Sequence, residues 1–181
     1  MKTESIQNFV FKLKFTHLFF RFNSFLKVNK KLVVNLSPTA VVPATAGVNF
    51  PFNILTPDVE TNSESTFEVN DTRKDLIEEI ILTTLDLTIS SPSDADFSFL
   101  ESISVYIKAD GLDEVKIAWK ETIPQTTKVL KLDLTGADLK EYIKADKFTL
   151  RLNTKTDETI NSDHHIEIHS VFYVDAKVLG Q

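Results

Sequence analysis

The sequence predicts an all-β fold, an antiparallel β-sandwich of about 7–9 strands with one or two short helices. Three observations carry this. Apolar residues recur with period two through most of the chain from residue 32 onward. Clusters of Pro, Gly, Asn, Asp and Ser punctuate those segments. No segment between them has the length that a crossover helix needs, which excludes a parallel α/β sheet.

Taken in order, "KLVVNL" (31–36) and "GVNFPFNIL" (47–55) read as early strands. Pro51 marks the second as an edge or bulged element, because proline cannot donate to a ladder. "TPDVETNSES" (56–65) reads as a polar loop. "NDTRKDLIEE" (70–79) begins like a helix, with Asp71 or Thr72 as N-cap. It runs into Ile81, Thr83, Leu85, Leu87 and Ile89, whose alternation predicts a long strand over 79–90. "SSPSDAD" (90–96) turns the chain, and "ISVYIKA" (103–109) points Ile103, Val105 and Ile107 inward. After the turn "DGLDE" (110–114) comes the strand "VKIAWK" (115–120). "VLKLDLT" (129–135) alternates Leu130, Leu132 and Leu134. "ADLKEYIKA" (137–145) is the short helix, of about two turns. "FTLRLNT" (148–154) and "HIEIHSVFYVDAKVL" (165–179) close the fold. The latter sets Ile166, Ile168, Phe172, Val174, Ala176 and Val178 on one side. "YIKAD" occurs at 106–110 and again at 142–146, once ending a strand and once a helix, so it is no structural repeat.

Composition agrees with a globular chain: 42% of the 181 residues are apolar. There is no cysteine, which removes disulfides, thiolate metal sites and cysteine nucleophiles together. The formal charge of −6 hides a division of the chain. Residues 1–31 carry seven Lys and Arg against the single acid Glu4, whereas residues 32–181 carry 13 basic and 25 acidic side chains. The expected organisation is therefore a basic, Phe-rich segment over 1–31 and a single sandwich domain over 32–181. An acidic body repels a phosphate backbone, so nucleic acid is not an expected partner.

Residues 1–31 hold seven of the 14 phenylalanines. "FVFKLKF" (9–15) alternates as a strand would, while Phe11, Phe15, Leu18, Phe19, Phe22 and Leu26 follow helical spacing. Three readings are open: an element packed on the body, a leader touching a membrane or partner, and a start codon placed too early in AT-rich DNA. In the second, Phe15, Phe19, Phe22 and Arg21 make the contact, as in a basic interfacial helix. Membrane contact is expected only through this segment, since no run of about 20 apolar residues exists to span a bilayer. It makes a poor secretion signal, because Arg21, Asn23 and Lys27 interrupt its apolar stretch.

The segment "NDTRKDLIEEIILTTLDLTISSPSDADFSFLESISVYIKADGLDEVKIAW" (70–119), with "DLKEYIKADKFTLRL" and the closing strand, resembles small, functionally uncharacterised bacterial lipoproteins and related surface proteins. The likeness covers about residues 48–180 and implies a sandwich-like body at the cell envelope. It implies no catalytic residue. The chain departs from that pattern in having no lipobox cysteine, which leaves a cytoplasmic address as the alternative.

Candidate sites are few. The four glycines, Gly47, Gly111, Gly136 and Gly180, form no phosphate loop, no dinucleotide fingerprint and no nucleophile elbow. "SDHHIEIH" (162–169) places His165, Glu167 and His169 on one side of a strand, which suggests a transition metal. Same-face neighbours on a strand lie ~7 Å apart and the outer pair ~13 Å, so all three cannot share one ion. Two could chelate with help from another strand, and an exposed polar face is the plainer reading. Loop carboxylates at Asp94 and Asp96, at Asp110, Asp113 and Glu114, and at Asp157, Glu158 and Asp163 suggest calcium if the fold gathers two loops. None has the spacing of a calcium loop, so no cofactor is expected. Trp119, Tyr106 and Tyr173 are the candidate ligand-binding aromatics. The expected function is a non-enzymatic structural or binding module of the cell envelope or a surface assembly, with a protein partner or self-association. A small-ligand or carbohydrate-binding domain is the first alternative, and a metal-dependent enzyme on His165, Glu167 and His169 the second.

Overall fold

The computed structural model describes residues 29–44, 51–156 and 159–177, all within one compact unit spanning 29–179. The Phe-rich stretch, with Phe15, Phe19, Arg21 and Phe22, lies outside the described residues, as do Asp157, Glu158 and Val178. The described residues form two antiparallel sheets, so the all-β sandwich expected from the alternation is the fold observed.

The first sheet has the order β1 (Asn29–Leu36), β11 (His164–Lys177), β5 (Ile77–Ser91), β8 (Val129–Lys131), with β2 (Thr39–Val42) also on β11. The second has the order β3 (Pro51–Leu55), β10 (Lys147–Thr156), β6 (Leu100–Lys108), β7 (Val115–Lys120), β9 (Asp133–Leu134), with β4 (Val59–Glu60) also on β10. Two short helices, α1 (Ser63–Glu68) and α2 (Lys140–Lys144), complete the described elements together with 3-10 turns at Lys74–Leu76 and Phe97–Phe99.

One edge of each sheet breaks at a proline, for the same reason. β1 and β2 pair with successive stretches of β11, and the step between them falls at Ser37 and Pro38. There the Ile168 amide donates to the Pro38 carbonyl at 2.8 Å and the buried Ser170 hydroxyl to the Leu36 carbonyl at 2.9 Å. β3 and β4 divide β10 likewise, on either side of Pro57. The Thr56 hydroxyl accepts from the Leu150 amide at 2.9 Å, taking a place that a backbone carbonyl would fill. Pro51 stands at the first position of β3, an edge strand, where proline costs no ladder bond.

The inner faces of both sheets meet in one apolar core. β11 contributes Ile166, Ile168, Phe172, Val174 and Ala176, all buried, and alternates without a fault over its described length. β6 and β10 face it with Ile103, Val105, Ile107, Phe148, Leu150 and Leu152. Burial of one such side chain is worth about 1.5–3 kcal/mol, and this core drives the fold.

Three expectations need correction. The long strand starts at Ile77, and its alternation changes phase near Thr83: Ile80 and Leu82 are buried, while Ile81 is partly exposed and Thr83 exposed. The cause is a bulge, since Val171 faces Thr84 and Phe172 faces Leu82, leaving Thr83 extra. Its hydroxyl donates to the Val171 carbonyl at 3.0 Å. Similar shifts in register fall at Glu78 and at Ser90 on the same strand. Second, the stretch 70–79 forms no α-helix. Asp71 is left-handed at φ 55°, and the buried Thr72 hydroxyl donates to the Lys177 carbonyl at 2.7 Å. The helix lies earlier, beginning in the last residues of the expected polar loop and running past it to Glu68, with the fully buried Phe67 as the anchor of α1. Third, 129–135 is two strands rather than one. β8 pairs with β5 and β9 with β7, so the chain changes sheets at the buried Leu132.

Candidate functional site

Two of the three sequence-predicted aromatics come together on the outer face of the second sheet. Pairing register sets them in two neighbouring rows. One row runs Leu55, Arg151, Tyr106, Lys116, and the next runs Asn53, Asn153, Ser104, Trp119, Asp133. These side chains point away from the core because Val105 and Leu152, between them in sequence, are fully buried. A bulge in β7 sets this alignment: Ala118 faces Val105 and Lys116 faces Tyr106, so Ile117 is extra. Both Ile117 and Ala118 are buried, which leaves Trp119 and Lys116 together on the outer side.

Arg151 organises the first row. Its guanidinium lies 4.2 Å from the Tyr106 ring centroid, and its Nε and Nη2 donate to the two Glu114 carboxylate oxygens at 2.8 and 2.6 Å. Nη1 donates to the Asn53 side-chain oxygen, which also accepts from Asn153 at 2.9 Å. This bidentate pair holds the Glu114 carboxyl below its ordinary value and raises Arg151 in turn. One ring face of Tyr106 is therefore occupied by the protein's own cation. Trp119 is partly buried, with the Lys116 ammonium 5.5 Å from its ring centroid. At the far end of the row Lys120 pairs with Asp133 at 3.3 Å.

Tyr173 is placed elsewhere. It lies on the outer face of the first sheet, between Val33 and Ile81 in register, with the Lys31 ammonium 5.5 Å from its ring centroid.

His165, Glu167 and His169 are exposed on that same sheet face, while Ile166 and Ile168 are buried, as the alternation predicts. They face Ser91, Thr88 and Asp86 of β5. Among the described residues no group of three or more His, Asp and Glu side chains is placed to hold a metal ion. The loops carrying Asp94, Asp96 and Asp163 do approach one another, but two of these carboxylates are already in use. Asp96 accepts from the Ser98 amide and Asp163 from the Ala44 amide, each at 2.8 Å.

Sequence reasoning missed Arg151, Asn53 and Asn153, and named Glu114 only as a loop carboxylate for calcium. Their proximity depends on segments far apart in the chain, for which the sequence holds no signal beyond the outward phase of Asn53 on β3 and of Arg151 and Asn153 on β10. His164 takes the opposite phase to His165, Glu167 and His169 and is the buried member of the cluster, 9% exposed and edge-on to Phe99 at 4.8 Å.

Fold and surface together define an antiparallel β-sandwich with an aromatic and amide-bearing outer sheet face. No protein-family model and no curated protein matches the chain. Among solved structures, the acidic stable capsid structure of Helicobacter pylori bacteriophage KHP30 contains a chain similar over 84% of this one and 100% of its own length, with 11% identity and a TM-score of 0.38. A second is described as a study of promiscuous specificity in carbohydrate-binding modules of the β-sandwich superfamily, at 12% identity and a TM-score of 0.27. It covers 88% of this chain, which spans 59% of that chain's length.

Proposed function

We propose that this protein is a non-enzymatic binding module whose recognition surface is the outer face of the second sheet, and that its ligand is a polar, extended chain of the carbohydrate type. The observation that supports this reading is the pair of rows around Trp119 and Tyr106. An indole offers flat apolar area against which the C–H face of a sugar ring can lie. Asn53 and Asn153 each carry a donor and an acceptor in one plane, the mixture that vicinal hydroxyls require. Arg151 is held on three sides by Glu114, Asn53 and Tyr106, so little side-chain entropy is lost when it engages a ligand. An open sheet face suits an extended ligand better than a small buried one. The cell-envelope address belongs to this proposal through the resemblance over 48–180 alone.

Affinity electrophoresis through gels containing single polysaccharides tests it. At least one polysaccharide should retard the wild-type protein, and Trp119→Ala should abolish the retardation while Tyr173→Ala retains it. A Trp119→Ala variant retarded as strongly as wild type would remove this face from the account.

A structural role through self-association is favoured by a different observation. Among the described residues β1 is paired on one side only, and Val33, at its centre, is 62% exposed. Sedimentation velocity should show a concentration-dependent oligomer that Val33→Lys shifts toward monomer. Monomer at all concentrations in both proteins would remove this second reading.

A further inference from the structure

The body is acidic as a whole, with 13 basic and 25 acidic side chains over residues 32–181, but the rows around Trp119 are not. There the carboxylates are matched one by one: Glu114 by Arg151 at 2.6 Å, Asp133 by Lys120 at 3.3 Å, and Glu101 by Lys155 at 2.6 Å. Two cations of the same face, Lys116 and Lys108, are exposed and enter no ion pair among the described residues. We propose that the extended carbohydrate bound at this face is an acidic one, whose carboxylate or sulfate groups are met by Lys116 and Lys108. The proposal rests on the reading of the face as a carbohydrate surface and adds the charge of the ligand.

Register brings the two lysines together beside the aromatics. Lys116 faces Tyr106, and Lys108 follows Tyr106 two residues later on the same side of β6. Diagonal neighbours of this kind stand about 7–8 Å apart, within reach of each other's long side chains. The Lys116 ammonium lies 5.5 Å from the Trp119 ring centroid. A sugar ring stacked on the indole therefore brings an anionic group at its rim to that ammonium, and the flexible, exposed stem lets Lys116 move aside for the ring. Lys108 acts on Glu114 by its charge, but Glu114 already has both oxygens bonded by Arg151. One carboxylate between two cations leaves an excess of positive charge next to Tyr106.

Screening makes this local excess count. Salt confines the field of an exposed charge to about 8 Å, so a bound anion responds to the lysines beside it more than to the acidic body. The patch also has an end. Beyond Thr149, the next outward residue of β10 is Lys147, which pairs with Asp58 and stands in the fields of Asp110 and Glu60. An acidic chain is thus steered across the strands, along the rows from β3 to β7, and away from the Lys147 end. In that path Asn53, Asn153 and Ser104 supply neutral partners for hydroxyls, and Lys116 and Lys108 supply the charge.

Calorimetric titration of the full chain tests this with two matched pairs, polygalacturonate against its methyl ester and dextran sulfate against dextran. Polyglutamate serves as an anion without sugar. At low salt at least one acidic polysaccharide should bind about tenfold more tightly than its neutral counterpart, as two exposed ion pairs of about threefold each allow. The pair that responds tells carboxylate from sulfate. Lys116→Gln and Lys108→Gln should each weaken that binding about threefold, and rising salt should erase the preference. Lys131→Gln, which removes an exposed charge from β8 in the other sheet, should leave it unchanged. Neutral polymers bound as tightly as acidic ones would overturn the proposal and leave the carbohydrate reading standing. Equal binding of polyglutamate, or unaltered affinity in both lysine variants, would overturn it as well. Binding of none of these polysaccharides would also overturn it, and the carbohydrate reading falls with it only if the gels described above show no retardation.

Discussion

Arg151 and Glu114 show how much a single pair can set. The carboxylate accepts two donors from one guanidinium, and that guanidinium covers a Tyr106 ring face. Because the folded pKa of Glu114 is depressed, the clamp is fully formed above the ordinary carboxylate range and is lost only as pH falls through the lowered value. The Arg151 Nε–H resonance should therefore keep its bonded position as pH falls past 4.5, the ordinary glutamate value, and collapse below it. Collapse above 4.5 would mean that the pair is not formed in solution. Asp138 is a structural counterpart. Burial pushes its carboxyl up, but the Ile80 and Lys140 amides, bonded to Oδ1 at 3.1 and 3.0 Å, outweigh burial and hold it low. Through this Asx-turn it ties the start of α2 to β5. Asp138→Ala should destabilise the fold by about 1–2 kcal/mol in urea unfolding, with Asp138→Asn retaining part of the loss.

At the scale of elements, β11 is the strand on which the first sheet is built, since β1, β2 and β5 all pair with it. Phe172, 1% exposed at its centre, should cost about 3–5 kcal/mol when cut to alanine, read as a fall in the denaturation midpoint with little change in slope. An effect under about 1 kcal/mol would place the core elsewhere. β11 was legible in the sequence because its burial alternates throughout and Ile166, Ile168, Phe172, Val174 and Ala176 fill the buried phase, with only the polar His164 and Ser170 sharing it. β5 was legible only in part. From Leu85 to Ile89 the phase holds, but the Thr83 bulge inverts it upstream, and a bulge leaves no local mark in composition. β8 and β9 misled for the opposite reason. Leu130, Leu132 and Leu134 keep one phase, yet the pairing passes from one sheet to the other, which only tertiary contacts decide. α1 is anchored by a single Phe67 in a polar stretch, too little periodicity for six residues to declare a helix.

At the scale of the molecule, the two outer faces differ in kind. The first carries the spaced His165, Glu167 and His169 together with Tyr173, and the second carries the Trp119 rows. Of the site, the aromatic residue types and the outward phase of Tyr106 were readable from the sequence, whereas Trp119 shares the phase of the buried Ile117 and faces outward only through the β7 bulge. What joined Trp119 to Asn53 and Arg151 was strand order, which local pattern does not encode. Trp119 is the only tryptophan in the 181 residues, so its emission reports on the proposed face alone. The most direct test of the central claim is therefore intrinsic fluorescence with acrylamide quenching, measured against a panel of soluble oligosaccharides. At least one oligosaccharide should shift the emission saturably and protect Trp119 from the quencher, and Asn153→Ala should weaken that response. Saturable oligosaccharide binding by calorimetry that leaves Trp119 emission and quenching unchanged would contradict the account.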